Sequence, residues 1–326
     1  MSVYSCLVTG GAGFIGSHLV DGLLAAGHQV RVLDDLSAGS ETNLARHRGT
    51  LRLMRGDLRD RDAVRAAMAG VEVVFHLAAI SSVQRSIVDP VESIDVNVRG
   101  AMQVLQVAHE SGVRRVVVAS SAAVYGDSTA LPLAETLTPR PLSPYAVHKL
   151  ACEHLCQVFT QMYGLETVAL RYFNVYGARQ RPDAEYAAAI PRFAERLRHN
   201  EAPSIYGDGE QTRDFIHVAD VVRANLLAAE VPAANGQVMN IASGQGASVN
   251  DVVRTLRELT GATVAPRYEA PQIGDIRESV ADITLARRLL GFTPTVSLRE
   301  GLAELVSAQK AAQEAVTEAA SSRGQR

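Results

Sequence analysis

The chain of 326 residues is poor in several residue types, and each shortage excludes a class of protein. Its three cysteines, Cys6, Cys152 and Cys156, are too few and too unevenly spaced for a disulfide framework. The net charge of −3 lacks the basic excess that nucleic-acid binding requires. The sequence has no apolar run of about 18 residues that would predict a membrane span. It also has no cluster of histidines, cysteines or carboxylates with the spacing of a metal site.

The first residues lack the pattern of a secretory leader. An apolar strand is predicted directly over residues 3–9, where a leader would have a charged segment and then an apolar one. We therefore expect a cytoplasmic protein that binds neither nucleic acid nor a membrane. Hydrophobic residues make up 47% of the chain and charged residues 21%, values typical of a globular protein with a large core.

The first half of the chain alternates short apolar runs with segments of helical periodicity. Strands this apolar are typical of a parallel sheet that helices cover on both faces. The pattern predicts an α/β fold, a Rossmann-type doubly wound parallel sheet, over residues 1–175. The predicted strands are 3–9, 29–34, 51–55, 72–77, 115–119 and 166–171, and the predicted helices are 17–26, 60–69, 90–111 and 144–163.

The pattern changes after residue 175. Loops rich in proline, glycine and arginine separate shorter helices predicted at 190–198, 218–229, 249–260 and 298–309. Such a region suits a ligand pocket, so we predict a smaller mixed α/β substrate domain over 176–310, with some segments returning to the first sheet. The remaining residues, 311–326, are expected to form a frayed or disordered tail.

A glycine-rich turn follows the first predicted strand and precedes the first helix. Gly11, Gly13 and Gly16 have the spacing that permits a tight turn, close approach of a pyrophosphate and close packing of helix on strand. The phosphates would face free amides at the helix N-terminus. Asp34 and Asp35 follow 18 residues after Gly16, where a carboxylate meets the adenosine ribose. Because a carboxylate repels a 2′-phosphate and no arginine follows immediately, the turn predicts NAD rather than NADP.

A third carboxylate ends the third predicted strand. Asp57 is placed to accept a hydrogen bond from the adenine amino group. The alternative is a carboxylate that caps the N-terminus of the following helix.

A tyrosine and a lysine share one face of the predicted helix at 144–163. Ser143 is its predicted N-cap and Pro144 its first residue, which places Tyr145 in the first turn and Lys149 four residues later. A nearby ammonium and a positive nicotinamide ring favour a phenolate, so Tyr145 is a candidate acid/base group. Ser121 ends a strand and could orient a substrate hydroxyl, while Lys149 could also hold the nicotinamide ribose. The alternative is an ordinary amphipathic helix with a surface lysine.

These motifs resemble the extended short-chain dehydrogenase/reductase family, over nearly the whole chain to about residue 310. The later ones are similar to motifs of nucleotide-diphosphate-sugar 4-epimerases, and residues 179–191 are similar to the subgroup that acts on UDP-N-acetylhexosamines. The motifs lie at 9–16, 76–79, 120–126, 145–149, 171–177, 213–218 and 274–277.

The resemblance implies a set of site residues. Its catalytic residues are Ser121, Tyr145 and Lys149. Its cofactor-binding residues are Gly10, Gly13, Phe14, Ile15, Gly16, Asp34, Asp35, Asp57, Leu58, Leu77, Ala78, Ala79, Asn97, Ala119, Tyr145, Lys149 and Tyr172. Its substrate-binding residues are Ser81, Ser121, Asn174, Gln180, Ala188, Arg213, Asp275 and Ser279.

The resemblance also implies a reaction. Tyr145 would remove the proton of the sugar 4-hydroxyl while the C4 hydride passes to NAD, the 4-keto sugar would turn over, and the hydride would return to its opposite face. The enzyme would therefore be an isomerase. Arg213 corresponds to a diphosphate-binding arginine, Asn174 to a residue near the sugar phosphates and Asp275 to a contact with the nucleotide. A serine at 279, a position that gates the sugar pocket, favours UDP-GlcNAc and UDP-GalNAc, with UDP-glucose and UDP-galactose also open.

Several positions depart from the family pattern and leave alternatives. Gln272 replaces a frequent arginine and Ser81 a frequent lysine. Ala122 and Ala123 stand where 4,6-dehydratases carry an Asp-Glu pair, which argues against dehydration. A 4-epimerase for dTDP-deoxysugars such as dTDP-rhamnose stays open, and a catalytically silent NAD-sensing protein is the alternative from another class.

The helices at 90–111 and 144–163 match those that form an intersubunit four-helix bundle in this family. The resemblance therefore implies a homodimer. The alternative is that both helices only cover the sheet of a monomer.

Overall fold

Seven parallel strands form the larger of two main sheets, in the order β10-β6-β5-β4-β1-β2-β3. The computed structural model describes residues 3–181, 189–271 and 276–323. Its strands are β1 Ser5–Thr9, β2 Gln29–Asp34, β3 Arg52–Arg55, β4 Val73–His76, β5 Arg115–Ser121, β6 Glu166–Tyr172, β7 Asn174–Tyr176, β8 Ser204–Tyr206, β9 Thr212–His217, β10 Val238–Ile241, β11 Gly246–Ser248, β12 Arg267–Glu269 and β13 Glu278–Ser279.

Helices flank this sheet and build the smaller lobe. They are α1 Phe14–Ala25, α2 Arg61–Met68, α3 Val83–Val88, α4 Pro90–Ile94, α5 Gly100–Glu110, α6 Pro144–Tyr163, α7 Ala189–Arg198, α8 Val218–Glu230, α9 Val249–Thr260, α10 Thr284–Leu290 and α11 Leu298–Arg323. A π-helical segment, Asp95–Arg99, joins α4 to α5, so the single helix predicted at 90–111 is interrupted.

Both faces of the large sheet are buried, as the continuous apolar strands predict. Leu7 and Val8 are neighbours on β1, yet each belongs to a different apolar cluster. The cluster around Val8 includes side chains of α1, α8 and α10, whereas the cluster around Leu7 includes side chains of α2, α5 and α6. The predicted fold class, a doubly wound parallel sheet, is confirmed.

The chain crosses from one side of β1 to the other after β3. Strand β4 lies beside β1, on the side opposite β2. The chain therefore leaves β1 toward β2 and β3 on one side, and leaves β4 toward β5 and β6 on the other. Crevices outside the carboxyl ends of such strands are where α/β sheets bind ligands. Strand β10 also joins this sheet, beside β6, although it comes from the second half of the chain.

The second main sheet centres on β9. Strands β11 and β13 flank its first half and β7 its second half, with β11 the antiparallel member. An apolar cluster that includes Phe193, Leu256 and Leu302 packs α7, α9 and α11 together beside it. The mixed strand directions agree with the smaller α/β unit expected from the sequence.

The last helix is longer than the sequence analysis predicts. We expected a helix over 298–309 and a frayed tail from 311, but α11 continues to Arg323. Alanine and glutamate are abundant there and have high helix propensity. Two hydrogen bonds also fasten α11 to α7: Gln309 Nε2 donates to the Pro191 carbonyl at 3.0 Å, and Arg198 Nη2 donates to Gln313 Oε1 at 2.7 Å.

No helix within the described ranges combines the length and the apolar content needed to cross a membrane.

A buried ion pair joins α6 to the sheet. Glu153 on α6 accepts from Arg171 Nε at 2.8 Å and Nη2 at 2.7 Å, and both side chains are at most 5% exposed. Ser120 Oγ on β5 donates to the same carboxylate at 2.5 Å. Although burial opposes the charge of Arg171, the hydrogen bonds that it donates to Glu153 raise its pKa. The pair therefore ties α6 to β5 and β6 just below the strand ends.

Replacing Glu153 by glutamine should lower the free energy of unfolding by about 3 kcal/mol, because the charge of Arg171 would stay buried without its counterion. Urea denaturation measures the loss. Glu258→Gln makes the same chemical change in the exposed Arg299–Glu258 pair and should cost much less, because solvent screens that pair. Equal losses in the two variants would contradict this account of the buried pair.

Candidate active site

The carboxyl ends of β1, β4, β5 and β6 meet at one edge of the large sheet. The candidate cofactor and catalytic residues cluster there, because parallel strands present their last residues on the same side.

The glycine turn leaves amides free at the start of α1. Gly13 is the N-cap and has no side chain to bond to the helix. Among the described residues, the amides of Phe14 and Ile15 donate no hydrogen bond. Helix N-termini with free amides bind phosphate groups. The turn therefore fits a dinucleotide pyrophosphate.

Two glycines of the turn have no room for a larger residue. Gly10 has φ +70°, and a Cβ there would lie 2.8 Å from the Ala78 Cα. A Cβ on Gly16 would clash with the Gly10 carbonyl oxygen. Close packing thus joins the turn to the predicted segment at 77–79 and to the first turn of α1.

Asp34 ends β2 beside the glycine turn. Its Oδ2 accepts the Ala12 amide and its Oδ1 the Leu36 amide, both at 2.9 Å. Burial raises the pKa of this carboxyl, which is 7% exposed. The two amides hold the carboxylate where the sequence predicts a ribose contact. The neighbouring Asp35 is exposed and accepts from the amide and hydroxyl of Ser37.

Asp57 is held by an arginine. Arg59 donates to it from Nε at 3.0 Å and from Nη2 at 2.6 Å, and these hydrogen bonds lower the pKa of Asp57. Asp60 caps α2 by accepting the amides of Asp62 and Ala63. The alternative role of Asp57 as the helix cap is therefore wrong. The neighbouring Leu58 is buried.

The segment after β4 is shaped by two side chains. Thr9 Oγ1 bonds to His76 Nδ1 at 2.8 Å and accepts the Ala78 amide at 3.3 Å. Asn97, in the π-helical segment, accepts the Ile80 amide at 2.7 Å and donates to the Ile80 carbonyl at 3.0 Å. Both polar groups of the Asn97 side chain therefore bind the backbone that follows Ala79.

The candidate catalytic groups meet where α6 begins beside the end of β5. Lys149 Nζ donates to the Ala119 carbonyl at 2.7 Å and lies 5.7 Å from the centre of the Tyr145 ring. Lys149 is 7% exposed, whereas Tyr145 is half-buried. Ser121 ends β5, and its Oγ accepts the Ala123 amide at 3.2 Å. The structure thus places Lys149 beside Tyr145 and against the backbone two residues before Ser121.

His76 lies near this lysine. Burial, and then the charge of Lys149, lower the pKa of His76 to about 3. The imidazole is therefore neutral at physiological pH, and the ammonium is the positive charge at this point of the crevice.

Tyr172 ends β6, but its hydroxyl points into the core. It donates to Asn225 Oδ1 on α8 at 2.9 Å, and burial raises the pKa of the phenol. The Tyr172 hydroxyl therefore has a partner in the core and does not face the predicted cofactor site.

Three of the predicted substrate residues lie around β9. Ser279 on β13 pairs in register with Arg213 on β9. Asn174 on β7 pairs with Phe215, and its Nδ2 donates to the Asp214 carbonyl at 3.2 Å. The two pairings join residues that lie 66 and 41 positions apart in the chain.

The other substrate predictions are less closely grouped. Gln180 Nε2 donates to the Val175 carbonyl at 3.3 Å, after β7, and Ser81 is exposed just before α3. Ala188 and Asp275, like the departure Gln272, lie outside the described residues.

Asp214 is a structurally important residue to which the sequence pattern assigned no role of its own. This fully buried carboxylate accepts the amides of Ser243 at 2.7 Å, Gly244 at 2.9 Å and Ala281 at 3.2 Å. Burial raises the pKa of the Asp214 carboxyl. It holds the loop after β10 and the end of β13 against β9. Its place directly after Arg213 in a motif was the available signal.

A cleft of about 560 Å³ opens beside β8 and the start of β9. It is lined by Tyr206, Gly207, Asp208, Gln211, Glu269, Pro271, Ile276 and Arg277. The described residues contain no group of three or more His, Cys, Asp or Glu side chains able to hold a metal ion.

Residues 6–242 match the model of the NAD dependent epimerase/dehydratase family. A UDP-glucose 4-epimerase from Mycolicibacterium smegmatis is 41% identical over 304 residues, 92% of this chain and 96% of that protein. The chain belongs to the NAD dependent epimerase/dehydratase family, an assignment consistent with the free amides of the glycine turn and the anchored Asp34.

Two solved structures resemble the whole chain. A UDP-glucose 4-epimerase from Thermotoga maritima, solved with UDP-glucose, has 39% identity and a TM-score of 0.91, covering 95% of this chain and 99% of its own. A UDP-N-acetylglucosamine 4-epimerase from Methanobrevibacter ruminantium, solved with UDP-N-acetylmuramic acid, has 37% identity and a TM-score of 0.91 at the same coverage.

Gly16→Ala should abolish retention of NAD through purification, because the new methyl group would displace the Gly10 carbonyl and open the turn. The cofactor released on denaturation is measured by chromatography. Gly261→Ala is the control: it strains the left-handed C-cap of α9, far from the turn and with open space around it. That variant should lose some stability and keep its NAD, so a full NAD content in Gly16→Ala would contradict the assignment.

Proposed function

We propose that this chain is an NAD-dependent UDP-sugar 4-epimerase, and that its best substrates are UDP-GlcNAc and UDP-GalNAc. The observation that carries the proposal is the position of Lys149, 5.7 Å from the Tyr145 ring and bonded to the end of β5. This pair lies at the same sheet edge as the NAD-binding turn.

Each catalytic group has a defined task. Tyr145 takes the proton from the sugar 4-hydroxyl and returns it to the same oxygen when the 4-keto sugar is reduced, while Lys149 stabilises the phenolate by its charge. Ser121 orients the hydroxyl by a hydrogen bond. When bound, NAD supplies the hydride acceptor and donor at C4. Because the hydride and the proton both return, the reaction is an isomerisation.

In this proposal the nucleotide and the diphosphate are bound at a distance from the reacting C4 of the sugar. A sugar that must present both faces to the cofactor cannot be gripped tightly, so binding energy has to come from the nucleotide and diphosphate. We assign the diphosphate to Arg213 with Asn174 nearby, and the uridine to the cleft beside β8. The names of the relatives described above support UDP over dTDP.

The preference for N-acetyl sugars depends on Ser279. Ser279 pairs in register with Arg213, so its small side chain would occupy little of the room that an acetamido group needs next to the assigned diphosphate site. The similarity of residues 179–191 to the N-acetylhexosamine subgroup supports the same choice.

Two other activities are disfavoured. A dehydratase needs an acid and a base beside the substrate, but Ala122 and Ala123 follow Ser121. A silent NAD sensor has no need for a buried ammonium beside a half-buried phenol.

Purified protein incubated with UDP-GlcNAc, without added cofactor, should form UDP-GalNAc, which chromatography resolves. UDP-glucose and UDP-glucuronate are tested alongside. Tyr145→Phe should lower kcat by about 10²- to 10⁴-fold, because the proton would lose its acceptor. Tyr163→Phe makes the same change at the exposed end of the same helix and should leave kcat unchanged. If no sugar is converted although NAD is bound, the epimerase proposal is wrong.

We also propose a homodimer, for which two exposed apolar stripes provide the surface. Ile87, Val91, Ile94 and Met102 recur at spacings of three, four and eight residues along α3–α5. Val147, Val158 and Met162 lie on one face of α6. Segments α3, α4 and the π-helical turn pack against α6, so the stripes adjoin. Such paired stripes are half of a four-helix bundle that a second copy completes.

Val158→Glu should convert the dimer to a monomer, because two charges would be buried at the symmetric contact. Light scattering after size-exclusion chromatography gives the mass. Val3→Glu places the same charge on an exposed valine outside the stripes and should leave the mass unchanged. A wild-type protein that is monomeric at micromolar concentration would contradict the proposal.

A further inference from the structure

A serine outside the sequence motifs fastens the turn that carries Tyr145. Ser86 on α3 is fully buried, and its Oγ lies 3.1 Å from the Tyr145 amide nitrogen, 59 residues away in sequence. Ser86 belongs to none of the sequence motifs described above.

The hydrogen-bond pattern at the start of α6 explains why a second serine is needed. The first amides of a helix have no partner inside it. Pro144 has no N–H, and the Ala146 amide donates to Ser143 Oγ at 3.2 Å. The Tyr145 amide is thus the one that the helix's own cap does not satisfy, and Ser86 accepts it.

The direction of this hydrogen bond is fixed. Ser86 Oγ donates its own hydrogen to the Val83 carbonyl at 2.6 Å. A hydroxyl has one hydrogen, so the Tyr145 N–H must donate to a lone pair of Ser86. The first turn of α6 is therefore held to the backbone of α3 through one hydroxyl.

We propose that Ser86 is a positioning residue for Tyr145. Helix ends fray readily. Tyr145 lies in the first turn of α6, so no preceding helical turn holds its backbone in place. By fastening that turn to α3, Ser86 sets the position of the phenol relative to the sugar hydroxyl and Lys149. The inference rests on the proposed function.

A neighbouring serine provides a matched control. Ser93 on α4 is also fully buried, and its Oγ lies 3.3 Å from His148 Nδ1, on the same helix α6. Ser93 contacts α6 as Ser86 does, but its partner is the side chain of His148, to which we assign no part in the reaction.

The test compares Ser86→Ala with Ser93→Ala. A displacement of about 1 Å at reacting groups costs up to about 100-fold in rate, so Ser86→Ala should lower kcat for UDP-GlcNAc at least tenfold. Its KM should stay within about twofold of the wild type, because the nucleotide is held elsewhere. Ser93→Ala should keep kcat within about twofold even where urea denaturation shows a similar loss of stability. Equal kcat losses in the two variants overturn the inference.

A double variant tests whether the effect passes through the phenol. Combined with Tyr145→Phe, Ser86→Ala should lower the residual rate no further, whereas independent effects would multiply and contradict the inference. If Ser86→Ala does not fold, Ser86→Cys keeps the size of the side chain but accepts a hydrogen bond only weakly, and the same results are expected. Wild-type protein that converts no sugar refutes the proposed function itself, whereas an active wild type with equal serine variants refutes only the role of Ser86.

Discussion

The buried ammonium of Lys149 is the constraint around which the rest of the site is built. A positive charge at 7% exposure needs partners, and the structure supplies the Ala119 carbonyl and the face of Tyr145. Both partners depend on α6 lying firmly along the end of β5. Glu153 lies one turn further along α6 and provides that support. It binds Arg171 on β6 and Ser120 on β5, and so joins the helix to both strands. The nearby imidazole of His76 is neutral at physiological pH, so it does not repel the Lys149 ammonium.

The binding regions follow from two sheets with different tasks. The large sheet ends in the glycine turn, Asp34 and Ser121, which act on the cofactor and the reacting hydroxyl in our proposal. The second main sheet is centred on β9, which carries Arg213, the residue that binds the diphosphate in the same proposal. Asp214, on the same strand, fastens the surrounding loops through their amides. Chemistry and recognition are therefore held by separate hydrogen-bond networks, which suits a pocket in which the sugar must turn while its nucleotide stays still.

The local features of this site were predictable from the sequence, and the long-range ones were not. The glycine turn, the Asp34 strand end and the Ser143-Pro144 start of α6 are defined by residues within one or two turns, so their spacing identified them. The clamp of Asn97 on Ile80 and the contact of Ser86 with Tyr145 join separate elements, and no periodicity encodes them. The length of α11 was underestimated for a different reason. An alanine- and glutamate-rich segment looks polar and loose, but once docked on α7 it propagates as a helix.

The sealed charges of Glu153 and Arg171 also restrict how this sequence can diverge. Loss of either charge alone would strand the other in an environment without water, while an apolar pair of similar volume could fill the same space. A lineage that lost only Glu153 or only Arg171 would pass through a less stable protein. We therefore expect the two positions to change together. Lineages that abandon the pair should have replaced both members, together with the hydroxyl of Ser120 that shares the carboxylate.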